Sequence, residues 1–180
     1  MLLKELNRIK PVFVELGFQT SNENTAALIR RGYDNIVFDN AVSDLHRIGV
    51  EVIVHTIIGL PYETSDDVIN TIRYINDLPV NGIKLQLLHV LKGTSLEKFY
   101  FENPNAFLFM DINEYINVLG KCISNLREDI VIHRLTGDGP KSLLIAPMWS
   151  GNKKVVLNAI NNYLSFNNII QGKEIRQNGT

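Results

Sequence analysis

Three of the four histidines, His55, His89 and His133, fall in short apolar runs of the kind that form strands. Imidazoles at neighbouring strand ends can supply the nitrogen donors of a three-ligand metal site, so metal-dependent hydrolysis is one chemistry open to this chain. A histidine held by hydrogen bonds within a core is the plainer alternative. Glu15 interrupts the run Val12-Phe13-Val14-Glu15-Leu16. Burial favours the neutral form of a carboxyl group, so a carboxylate there needs either an ion-pair partner on the next strand or a ligand. Gln19 and Thr20 follow it closely. Arg30 and Arg31, read as part of the next helix, could turn one guanidinium inward toward an anion or leave both in water.

Further polar groups gather at three other strand ends. Ile57-Ile58-Gly59-Leu60-Pro61 leads into Tyr62-Glu63-Thr64. Gly59 lets a flat ligand approach the backbone, and Glu63, just before a helix, suits the positive end of its dipole. His89 lies in Leu87 to Thr94. In Arg134-Leu135-Thr136-Gly137-Asp138-Gly139-Pro140, two glycines flank an aspartate. Such a segment exposes backbone N–H groups that can cradle an anion or a nucleotide hydroxyl, and it also forms a tight turn unaided. A non-catalytic anion- or nucleotide-binding module is therefore a second alternative.

These groups need a scaffold, and the apolar periodicity supplies one. Val12–Leu16, Val50–Gly59, Ile83–Val90 and Ile130–Leu135 are short runs apolar on both parities, as in strands covered on both faces. Between them lie amphipathic helices at Asn35–Ile48, from Thr64 or Ser65 onward, and at Asp111–Leu126, with another at Asn152–Leu164 after the last strand. The order β-α-α-β-α-β-α-α-β, followed by a loop and a last helix, predicts an α/β fold with a mostly parallel sheet, either the arc of a partial (β/α) barrel or an open sheet. In such sheets ligands sit outside the carboxyl ends of the strands. A short leading helix, Leu2–Ile9, is expected either to mask the edge strand Val12–Leu16 or to leave it open to self-association.

The chain of 180 residues is 45% hydrophobic and 21% charged, with a formal net charge of −1. This supports one domain and gives no global case for a nucleic-acid or membrane-surface protein. Cys122, the single cysteine, cannot form an intrachain disulfide or a multi-cysteine metal site, and its apolar helical face marks it as packing. No signal peptide and no run of about 20 apolar residues is present, so a cytoplasmic protein is expected. Residues 1–172 read as the domain and 173–180 as a polar, frayed tail.

Taken together, five segments are more specific than any one of them: Glu15–Thr20, Leu28–Asp34, His55–Thr64, Leu87–Thr94 and Arg134–Pro140. In this order they resemble the later part of a radical S-adenosylmethionine enzyme, YhcC/YtqA-type branch, a branch similar to the elongator catalytic subunit and to oxygen-independent coproporphyrinogen oxidase. The resemblance runs from Pro11 to about Gly172. It implies the later strands of a six-stranded partial barrel that binds S-adenosylmethionine over a 4Fe-4S cluster. Reductive cleavage then gives methionine and a 5′-deoxyadenosyl radical that abstracts hydrogen from a substrate, with RNA as a guess for the substrate.

Carried across by motif, the resemblance implies that Glu15, Gln19 and Thr20 lie near the ribose and methionyl part and that Arg31 pairs with the methionyl carboxylate. Ile57, Gly59 and Glu63 would flank the adenine, with a polar contact from His55 to the ribose. His89, Arg134 and Asp138 would lie on the substrate side. The family's Cys-x-x-x-Cys-x-x-Cys and its glycine-rich motif are not in this sequence. The expectation is the carboxyl-terminal half of the barrel domain, inert alone and binding S-adenosylmethionine weakly or not at all. Its partner would be a cysteine-bearing amino-terminal half.

Overall fold

A computed structural model describes residues 2–108 and 110–178. The chain opens with α1 (Leu2–Ile9), β1 (Phe13–Gln19), α2 (Glu23–Leu28), α3 (Asn35–Arg47) and β2 (Glu51–Ile58). It continues through α4 (Ser65–Asn76), β3 (Gly82–Leu87), β4 (Val90–Leu91), α5 (Ser95–Glu102) and α6 (Ile112–Asn125). The last elements are β5 (Val131–Arg134), β6 (Leu144–Ala146), α7 (Lys153–Phe166) and α8 (Lys173–Asn178).

Local chemistry sets the helix limits. Thr64 caps α4 by accepting from the Asp67 N–H while Asp67 returns a bond to the Thr64 N–H, and Asp111 and Glu114 do the same for α6. α3 ends where Gly49 takes φ +74°, letting Gly49 and Val50 N–H groups bond back to the carbonyls of His46 and Leu45.

The main sheet is fully parallel in the order β1-β2-β3-β5, so β1 and β5 are its edges among the described residues. One face carries Val14, Leu16 and Phe18, then Val52, Val54 and Ile58, then Ile83, Leu85 and Leu87. These pack with Phe38 and Val42 of α3, Ile72 of α4, Leu119 of α6 and Val156 of α7 in one core. Phe18 is fully buried and stacks on Phe38 at 4.3 Å and on Tyr74 at 5.3 Å. The alternation required by a strand sends Glu15, His55, Lys84 and Gln86 to the opposite face. That face is polar at its centre, where the sequence reading has strands apolar on both sides.

The amino end of the sheet, away from every candidate site residue, is tied by Arg127. It donates to the carbonyls of Asn76 at 2.5 Å and Leu78 at 3.2 Å and pairs with Asp129 at 2.7 Å. Gln171 adds bonds to the carbonyls of Arg127 and Ile130. The described part of the polar tail, Lys173–Asn178, is helix α8 against α6, with the Gly172 N–H bonded to Ile123 O. Residues 179 and 180 of that tail lie outside the described residues.

Two other expectations change. The run Ile83–Val90 is two strands: β3 ends at Leu87, and β4 pairs antiparallel with β6 in a separate ribbon. Arg30 and Arg31 follow α2, which stops at Leu28, with Arg30 at φ +58° closing the turn. Among the described residues no helix is long and apolar enough to cross a membrane.

Candidate functional site

A cavity of about 580 Å³ opens at the carboxyl ends of β1, β2 and β3. Gly17 and Gln19 line it from β1, Arg30, Arg31 and Tyr33 from the turn after α2, and Ile57, Leu60 and Pro61 from the end of β2. Leu88 and the α5 side chains Leu96 and Phe99 complete an apolar side. Three non-glycine residues in the left-handed region stand around it: Gln19 at φ +61°, Arg30 at +58° and Tyr62 at +63°. Such backbone conformations are uncommon outside glycine and concentrate at ligand sites. The mixed lining, guanidinium and apolar, suits an amphiphilic small molecule with an anionic group.

Arg31 and Arg30 divide the work of the turn. The Arg31 side chain is 1% exposed. Its Nε donates to Tyr33 O at 2.8 Å, Nη1 to the carbonyls of Phe18 at 3.2 Å and Thr20 at 2.9 Å, and Nη2 to Glu23 at 2.9 Å. Of the five guanidinium N–H groups, one on Nη2 remains for a ligand. Arg31 thus fastens the carboxyl end of β1, helped by the Tyr33 hydroxyl, which donates to Gly17 O. Arg30 is exposed at the cavity and its guanidinium stays free of that network.

Thr20 and Glu63 are not among the lining residues. They meet behind the cavity, where the Thr20 hydroxyl donates to Glu63 at 2.5 Å, with Thr20 fully buried and Glu63 3% exposed. Burial pushes the Glu63 carboxyl up to about 7, against the opposing Thr20 bond. Thr71 from α4 extends the pair by bonding Ser21 N–H at 3.0 Å. Glu63 therefore joins β1 to α4 from the inside, which dipole complementation at the start of the helix does not describe. Gly59, at φ +90°, turns the chain out of β2 with space where a Cβ would be, the nearest atom, Leu88 Cβ, lying 3.9 Å away.

Glu15 and His55 lie on the polar face of the sheet. Glu15 accepts from Lys84 Nζ at 2.5 Å and contacts His55 Nε2 at 2.6 Å. The Lys84 bond, then the His55 bond, holds the Glu15 carboxyl below its ordinary range. This is the ion pair with a neighbouring strand that the sequence left open for Glu15. His55 Nδ1 is 3.2 Å from Gln86 Nε2, and Gln86 Oε1 is 3.4 Å from Arg134 Nη1. Lys84 and Gln86 escaped sequence reasoning, although their alternation with Ile83, Leu85 and Leu87 marks a strand with one polar face.

At the far end of β5, a register shift in its pairing with β3 sends Arg134, as well as His133, toward the polar side. Asp138 bridges Arg134 at 3.3 Å and Lys153 of α7 at 2.9 Å, and the Lys153 bond lowers its carboxyl below the usual range. His89 sits over the turn: its Nδ1 accepts from Gly139 N–H at 3.2 Å, and a Cβ on Gly137 would fall 2.4 Å from its Nε2. Burial pushes the His89 imidazole down, opposed by the Asp138 charge. His89, Arg134 and Asp138 thus form one cluster around the 137–139 turn.

The three strand histidines do not converge. His55 contacts Glu15, His89 the 137–139 turn, and His133 packs over Gly82, where a Cβ would lie 2.6 Å from its Nε2. Among the described residues no group of three or more His, Cys, Asp or Glu side chains could hold a metal ion. Cys122 is fully buried in the core and burial pushes its thiol up to about 12. A 4Fe-4S cluster takes several thiolates, so the residues of this chain do not fit one.

A parallel α/β arc with a cavity at its strand ends is the architecture of a partial (β/α) barrel. Residues 1–75 match the radical SAM superfamily and residues 80–165 the Radical_SAM C-terminal domain, and the chain belongs to the radical SAM superfamily. It is 42% identical over 171 residues to the uncharacterized protein YtqA of Bacillus subtilis strain 168, covering 95% of this chain and 52% of that one. It is 27% identical over 154 residues to YhcC of Escherichia coli K12, covering 86% of this chain and 49% of that one. The chain spans about half the length of the curated relatives it matches. A solved structure of Methanocaldococcus infernus Elp3 with an N-terminal deletion superposes with a TM-score of 0.77 over 94% of this chain and 39% of that one, at 18% identity. That likeness concerns the fold.

Proposed function

We propose that this chain supplies the S-adenosylmethionine-binding wall and the substrate-side loops of a radical enzyme, and that it acts together with a cysteine-bearing segment. The observation that carries the reading is the cavity at the ends of β1–β3, lined by Gln19, Arg31 and Ile57 from three of the matched motifs. S-adenosylmethionine, when bound, supplies a sulfonium that can be reduced and cleaved. The residues here would grip its carboxylate through Arg30 and the remaining Arg31 N–H and would shield its apolar part with Ile57, Leu60 and Leu88. Glu63 and Thr20 hold the wall in place from behind. The cluster of His89, Arg134 and Asp138 faces the substrate. RNA as that substrate rests only on resemblance to the elongator catalytic subunit.

The chain alone is inert in this reading, because nothing in it ligates the cluster. After anaerobic iron–sulfur reconstitution, the isolated chain is expected to cleave no S-adenosylmethionine and to bind it without micromolar affinity by calorimetry. Adding a segment that bears the Cys-x-x-x-Cys-x-x-Cys motif should restore both. Cleavage by the isolated chain, or no gain in binding with that segment present, would overturn the proposal.

A further inference from the structure

Five polar side chains cross the sheet in contact with one another: Lys84, Glu15, His55, Gln86 and Arg134. Their donor and acceptor capacities fix the direction of every bond between Arg134 and Glu15. A guanidinium has donors only, so the Gln86 atom 3.4 Å from Arg134 Nη1 is the amide oxygen. The amide nitrogen is thereby turned to His55 Nδ1 at 3.2 Å. An amide NH2 accepts nothing, so Nδ1 carries no proton and receives one of the amide hydrogens. The ring proton is then on Nε2, facing the Glu15 carboxylate at 2.6 Å. Asp138 secures the far end by its contact with Arg134 at 3.3 Å, and Lys84 secures Glu15 at 2.5 Å.

We infer that Arg134 is a positioning residue that locks His55 in the neutral Nε2–H tautomer, acting through the Gln86 amide. A neighbouring carboxylate favours the charged form of an imidazole in general. Here the second proton would have to enter at Nδ1, where it would meet the hydrogens of Gln86, and the Gln86 amide is held from turning by Arg134. The groups facing the ring are Glu15 from β1 and Gln86 from β3, with Lys84 acting on Glu15 and Arg134 on Gln86. Both ring nitrogens are occupied, so His55 offers no free nitrogen to a ribose or a metal ion. Its office is to hold Glu15 across the β1–β2 pair. The lock concerns side chains of this chain only and stands apart from which small molecule the cavity takes.

Long-range 1H–15N correlation spectra of the 15N-labelled chain near neutral pH test this directly. The His55 signals are identified by their loss in His55→Gln. In the wild type, Nε2 should appear as a protonated, pyrrole-type nitrogen and Nδ1 as an unprotonated, pyridine-type one. Arg134→Met should free the amide to turn and bring a proton to Nδ1, while Arg134→Lys should keep the wild-type pattern. Gln86→Glu places a carboxylate at Nδ1 and should give an imidazolium; it carries the test if Arg134→Met does not fold. A wild-type ring protonated at Nδ1 would overturn the lock. So would a pattern unchanged in both Arg134→Met and Gln86→Glu, with the signals of His46 and His133 showing that the fold persists.

Discussion

Glu63 shows how a single carboxyl group can tie the stability of the site to pH. Its folded-state value, about 7, lies above the ordinary 4.5 because burial outweighs the bond from Thr20. Between those values the folded chain holds a proton that the unfolded chain has released. The stability Glu63 contributes is therefore fully present below about 4.5 and is lost as pH rises through about 7, a loss on the order of 2–3 kcal/mol. Urea unfolding from pH 5 to pH 8 should show that decline, and Glu63→Gln, which stays neutral, should flatten it. An unchanged slope in the variant would assign the pH dependence to other groups. Arg31 illustrates the opposite design, a permanent charge with four backbone and side-chain acceptors already in place. Lysine lacks the planar fork this requires, so the two are not interchangeable at residue 31.

The β5 turn and its histidine make the sharpest statement about how elements fit. Gly137 and Gly139 leave room for the His89 ring, which a Cβ at either would approach within 2.4 and 2.8 Å. Gly137→Ala should cost about 1–3 kcal/mol through overpacking. Coupled with His89→Ala, which clears the space, the loss should shrink, giving a coupling of about 1 kcal/mol in a double-mutant cycle. Strict additivity would mean the ring is not what the glycine accommodates. The long elements were legible in the sequence because their apolar periodicity and caps act locally: Thr64 with Asp67, and Asp111 with Glu114, announce α4 and α6 three residues at a time. β4 and β6 were not, since strands of two and three residues carry no period and exist through each other. Among site residues, Glu15 was visible as a charge breaking an apolar strand, although it is exposed on the edge strand and not buried as that run suggested, whereas the Thr20–Glu63 pair was not visible. Its members are 43 residues apart and meet only once β1 and the start of α4 are placed. Likewise Arg30 and Arg31 look equivalent in sequence, and only the left-handed turn at Arg30 separates an outward cation from an inward one.

At the scale of the molecule, β1 pairs on one side only among the described residues, and α1 does little to cover it. Asn7 bonds Gly49 O and Val12 N–H, yet no α1 residue is buried, and Ile9 and Phe13 stay 83% and 58% exposed. A bare parallel edge with apolar neighbours favours pairing with a second chain. Sedimentation should therefore show concentration-dependent self-association that Phe13→Lys reduces. A wild type that stays monomeric throughout would remove this edge as an association surface. The polar face of the sheet has a different consequence. Glu15 pairs with Lys84 and Arg134 with Asp138 within their own wall, and His55 and Gln86 link the two pairs, so water can wet that wall before anything closes over it. Whatever encloses it must strip hydration from charges already paired, and gains little there in return. Closure would draw its strength from the rim, through the free backbone of β1 and the apolar side of α1.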